Sequence, residues 1–114
     1  MTQHVDKRLY HVTSEREASE AQISGEYAPQ DFGREGFIHC SYKHQLDGVI
    51  KRRFQGRSDL VLLEIDPSRL TCTIIDENLE GGTELFPHIY ARLPMSAVKI
   101  RSIRSIPGLS FPDI

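Results

Sequence analysis

The stretch DLVLLEID, Asp59–Asp66, decides the fold class. Six residues, LVLLEI, stand between acids, and a short apolar run with flanking turn signals reads as a buried strand rather than a helix. Pro67 opens a turn, and Leu70 to Ile75 is the expected hairpin partner of that strand. Upstream, Leu9 to Val12 reads as a first strand and Phe37 to Cys40 as a second. Between them Ser14 and Glu17 form a capping box, starting a helix of about 10 residues that Gly25 stops. Glu26 to Glu35, with Pro29 and Gly33, is expected to be irregular and anchored by Tyr27 and Phe32. Ser41 is a candidate cap for a second helix, in which Leu46, Val49, Ile50 and Phe54 recur at helical spacing.

Downstream, ENLEGG breaks regular structure, HIYARL resumes a strand, and Pro94 to Ala97 turns the chain into a last strand, Val98 to Ile103. Two helices near the start and most strands after them make the expected fold α+β. The expectation is one domain over 1–114, with a core at about 8–103 and a C-terminal tail at 104–114.

Composition excludes several classes. Hydrophobic residues are 39% and charged residues 26%, ordinary for a soluble globular chain, and no apolar run approaches the ~20 residues of a membrane helix. No secretory signal is expected from MTQHVDKRLYHV, which makes the cytoplasm the expected location. Cys40 and Cys72 belong to no C-x-x-C pair and are expected to be free thiols. The net charge of −2 provides no global attraction to nucleic acid, although Lys51, Arg52, Arg53 and Arg57 form a local basic cluster. That cluster reads either as a solvated helix end or as an anion-binding patch.

Strand alternation sorts the chemically capable residues. Leu9, His11 and Thr13 share one side of the first strand; Phe37, His39 and Ser41 share one side of the second, with Ile38 and Cys40 opposite. His39 and Cys40 therefore point apart, which argues against a Cys-His nucleophilic pair and places Cys40 in the core. Ser41 reads as a cap that could also contact a phosphate or ribose hydroxyl with the helix amides and His39. In LFPHIYARLP, Phe86, His88 and Tyr90 share a parity, with Pro87 opposing a long strand. His11, His39 and His88 each lie inside a short apolar strand, where histidine needs a partner. They are either internally bonded structural residues or lining of one polar cleft, with His11 and His39 the pair to test. Glu84 is the carboxylate placed by sequence to join His88. No short ligand pair supports zinc, so no metal is expected, and Ser41 lacks a nucleophile elbow.

LYHVTS at Leu9–Ser14, GEY at Gly25–Tyr27, GFIHCS at Gly36–Ser41, DLVLLEIDPSRL at Asp59–Leu70 and ELFPHIYARLP at Glu84–Pro94 together resemble the bacterial family called domain of unknown function 952. The resemblance implies a compact ADP-ribosyltransferase-like split sheet with two principal helices, similar to the RNA 2'-phosphotransferases. It further implies NAD as cofactor, with His11 and His39 at the two core-strand positions and Ser41 and Tyr42 beside the nicotinamide pocket. His11, Thr13, Ser41, Tyr42 and Tyr90 are the candidates for the nucleotide and His39, His88 and Glu84 the candidate catalytic set, Glu84 and His88 standing where the family's later-strand glutamate has no direct match. The expected function is transfer of ADP-ribose from NAD or a related nucleotide to a phosphate or other small acceptor, RNA phosphate among them. The competing expectations are a non-catalytic nucleotide- or phosphate-binding module and a structural partner-binding protein.

Overall fold

The computed structural model describes residues 7–105. Strand β1 (Leu9–Ser14) leads into helix α1 (Glu15–Ser24), followed by β2 (Glu26–Tyr27), the short helix α2 (Phe32–Glu35) and β3 (Ile38–His39). A 3-10 turn at Lys43–Gln45 precedes α3 (Leu46–Arg53). Then come β4 (Leu60–Ile65), β5 (Ile74–Glu77), β6 (Phe86–Ile89), β7 (Leu93–Pro94) and β8 (Val98–Ser102). The strands form three antiparallel sheets, ordered β1-β4-β8, β2-β7 and β3-β6-β5. The class is mixed α and β, with α1 and α3 its longest helices.

The LVLLEI segment is the centre of the first sheet, and its continuous apolar character follows from burial on both faces. Leu62 joins Tyr10, Val12, Leu46 and Ile50 in one cluster under α3. Leu63 and Ile65 face the other way, packing with Ala18 and Ala21 of α1 and with Ile38, Cys40, Ile89 and Leu93. One strand thus belongs to both apolar layers.

Ser14 caps α1 by accepting the Glu17 amide, and Gly25 ends it at φ 89° with its amide on the Ala21 carbonyl. An added Cβ at Gly25 would meet nothing within 4 Å, so the cost of Gly25→Ala is conformational. We expect a loss of about 1 kcal/mol of unfolding free energy, the scale of left-handed backbone for a residue with a Cβ. An unchanged urea midpoint would contradict it.

Three expectations are corrected. Leu70 to Ile75 is not the hairpin partner of β4: both edges of β4 are occupied, by β1 and β8, and Ile74–Glu77 pairs with β6 instead. The Asp66-capped turn at Pro67–Arg69 carries the chain away from that sheet. The Glu26–Glu35 connection holds a two-residue strand on β7 and one helical turn, with Tyr27 buried as its anchor. Ser41 caps no helix. Its amide donates to the Tyr10 carbonyl at 2.8 Å and its carbonyl accepts the Tyr10 amide at 2.8 Å, joining β1 to the chain after β3. Tyr42 takes the capping position, its amide bonded to Gln45 Oε1 at 2.9 Å. From 106 onward the expected tail lies outside the described residues.

Candidate functional site

Antiparallel pairing of β3 with β6 sets His39 directly opposite His88, and pairing of β6 with β5 sets Glu77 opposite Phe86. Alternation then puts His39, Phe86, His88 and Glu77 on one face of the sheet. The His39 ring centroid lies 4.7 Å from that of His88 and 5.4 Å from that of Phe86. Phe37 stacks on His88 at 4.3 Å with 12° between the planes.

His88 is 2% exposed. Its Nδ1 is 2.9 Å from Glu77 Oε2, and the Tyr90 hydroxyl donates to the same oxygen. These two hydrogen bonds hold the Glu77 carboxyl below its ordinary range, so it is a carboxylate near neutrality and Nδ1 is the protonated nitrogen facing it. Nε2 of His88 is buried with no hydrogen-bond partner. A buried polar atom left unsatisfied costs stability unless something else supplies a partner.

His39 is half-buried, and its ring has no hydrogen-bond partner among the described residues. Burial, the neighbouring His88 and Arg53 lower its pKa to about 4, which leaves it neutral at pH 7. Arg53 is itself paired to Glu80 at 2.6 Å. Lys51 pairs with Asp47 at 3.1 Å and Arg57 with Asp59 at 2.8 Å, so most of the basic cluster is locally neutralised rather than arrayed for phosphates.

His11 is bonded at both ring nitrogens. Nδ1 donates to the His39 carbonyl at 2.7 Å, and Nε2 lies 2.8 Å from the Tyr27 hydroxyl. The contact to His39 is therefore with its backbone; the imidazole that the His39 ring meets is His88. Burial lowers the His11 pKa, partly offset by the His39 carbonyl and the charge of Glu17. Thr13, buried beside it, donates to Glu17 Oε1 at 2.8 Å and accepts from Tyr27 at 3.1 Å. A groove of about 920 Å³ opens beyond, with Glu17, Glu20, Tyr27, Arg57 and Arg92 in its wall.

The remaining expected residues lie apart. Ser41 is 3% exposed with its backbone spent on Tyr10. Tyr42 donates to Asp76 Oδ1 at 2.6 Å. Glu84 is exposed and faces Gln45 Nε2 at 3.2 Å. The carboxylate beside His88 is Glu77, which the sequence reading did not single out. It shares a strand face with Ile75, but lies two residues beyond Leu70–Ile75, the segment read as the partner of β4. Both cysteines are free, and burial pushes the Cys40 thiol up, away from nucleophilic use. Among the described residues no cluster of three or more metal-ligating side chains occurs, and no helix is long and apolar enough to cross a membrane.

Residues 12–100 match the family described as "Protein of unknown function (DUF952)". The crystal structure of protein CC0527 from Caulobacter crescentus is similar at 30% identity, with a TM-score of 0.71 over 81% of each chain. The solution structure of CC0527 is similar at 30% identity, with a TM-score of 0.69 over 81% of this chain and 79% of that one. No curated protein matches. The chain belongs to the DUF952 family, and its β3-β6-β5 face carries a Glu-His dyad beside an open imidazole.

Proposed function

We propose that this chain binds NAD or a related nucleotide against the His39–His88 face and transfers ADP-ribose to a phosphate or other small acceptor, on an ADP-ribosyltransferase-like fold in the cytoplasm. The observation that carries the reading is the buried, unpartnered Nε2 of His88 next to the unbonded ring of His39. Two imidazole edges without protein partners suit a ligand that brings hydroxyl or amide donors, and NAD has both. Phe37 and Phe86 add aromatic surface for a planar ring.

When bound, NAD supplies an electrophilic ribose carbon with nicotinamide as its leaving group. His39, neutral at pH 7, accepts a hydrogen bond from a ribose hydroxyl. Glu77 fixes the His88 tautomer so that Nε2 is the acceptor, and its charge stabilises the imidazolium formed when that nitrogen takes the acceptor's proton. Tyr90 holds Glu77 from the other side. Glu77 therefore takes the part expected of Glu84, while Ser41 and Tyr42, committed to Tyr10 and Asp76, have no role in this reading.

Titration of the ¹⁵N-labelled chain with NAD, nicotinamide and ADP-ribose tests it. The expected result is movement of the His39 and His88 ring resonances at millimolar ligand or below. Silence at both rings with all three compounds would remove the reading; binding without nicotinamide release would leave a nucleotide-binding module.

A further inference from the structure

His11, Tyr27, Thr13 and Glu17 form a continuous chain of polar contacts that ends on the His39 carbonyl. The contacts are four: His39 O to His11 Nδ1 at 2.7 Å, Nε2 to the Tyr27 hydroxyl at 2.8 Å, that hydroxyl to Thr13 Oγ1 at 3.1 Å, and Oγ1 to Glu17 Oε1 at 2.8 Å. Each needs one hydrogen. A neutral imidazole and two hydroxyls supply only three, so an ionised Glu17 beside a neutral His11 leaves one of the four contacts without a hydrogen.

Two arrangements satisfy every contact. In the first, His11 is doubly protonated: Nδ1–H donates to the carbonyl, Nε2–H to Tyr27, Tyr27 to Thr13, and Thr13 to a Glu17 carboxylate. In the second, a protonated Glu17 donates to Thr13, Thr13 to Tyr27, and Tyr27 to Nε2 of a neutral His11. They differ by one concerted shift of three protons along the chain, with no heavy atom moved and no proton gained or lost.

We infer that Glu17, Thr13 and Tyr27 are a proton relay that positions and charges His11, exchanging its proton with the groove in which Glu17 and Tyr27 lie. The groups facing His11 agree with this. Tyr27 comes from β2, His39 from β3 and Glu17 from α1, while β4 places apolar Leu63 opposite. His11 is partly exposed, but both of its ring nitrogens are taken, so a proton reaching Nε2 passes through the Tyr27 hydroxyl. The hydroxyl of Tyr27, pushed up to about 12 by burial, stays protonated and passes a proton on instead of storing charge. The relay needs no ligand, so it stands or falls apart from the nucleotide reading.

The test is a double-variant cycle on the full chain, read from the His11 ring ¹⁵N shifts across pH. Glu17→Gln keeps a donor on Thr13 and locks the neutral, Nδ1–H form. We expect the His11 midpoint to fall by about one pH unit, roughly tenfold in proton affinity. Thr13→Val leaves the Glu17 charge in place but cuts the relay, and is expected to lower the midpoint similarly; Thr13→Ser restores it. The double variant should fall no further than either single one. If Thr13→Val leaves the midpoint unmoved, or if the two shifts add, simple charge proximity explains His11 and the relay is overturned. Should Thr13→Val fail to fold, Tyr27→Phe cuts the same chain and carries the same two outcomes.

Discussion

Leu63→Ala will lower the unfolding free energy by about 2–5 kcal/mol, the range for deleting a buried leucine side chain. Leu63 has no exposure, lies at the middle of β4, and packs between His11 of β1 and Ile100 of β8 in register. Its side chain enters the larger apolar cluster, where Ile38, Ile89 and Leu93 are likewise fully enclosed, so the cavity has little freedom to collapse. Urea unfolding should show a lower midpoint at an unchanged slope. Ile75→Ala is the control: Ile75 is 40% exposed, and its loss should cost about 0.5 kcal/mol or less. Equal costs at the two positions would disprove the central placement of β4.

The second large effect concerns chemistry. Glu77→Gln should lower nicotinamide release from NAD by about 10²–10⁴-fold, the usual range for losing correct acid-base function. The amide keeps the shape but withdraws the charge, and it can present an N–H to Nδ1, driving His88 to the tautomer whose Nε2 is protonated. His39→Ala should abolish release while circular dichroism stays unchanged. Glu84→Gln should leave the rate as it was, because Glu84 meets Gln45 rather than either imidazole. A rate that follows Glu84 and ignores Glu77 would reverse the assignment.

Much of the local architecture was legible from side chains a few residues apart. The Ser14–Glu17 box and the left-handed stop at Gly25 bound α1 as read. The Leu46, Val49, Ile50 spacing became the buried side of α3, and alternation put Ile38 and Cys40 in the core with His39 on the other side. The same reasoning failed where a residue had two plausible partners. Ser41 looked like a cap because caps are local, whereas its backbone was claimed by Tyr10, thirty-one positions earlier by simple count. Glu84 looked closer to His88 because it is closer in sequence, whereas the strand next to β6 is the one that carries Glu77.

The sequence by itself determined the two long helices and the strands β1, β3, β4 and β8, which of their faces are apolar, and that three histidines sit in strands. Those properties depend on periodicity and capping, which act over a few residues. Only the tertiary structure decided which strands are neighbours, and with that the partners of every polar side chain in the site. Strand pairing joins segments far apart in the chain, and one strand edge can accept only one neighbour. Once β1 and β8 had taken both edges of β4, β5 was left to β6, and Glu77 came to His88.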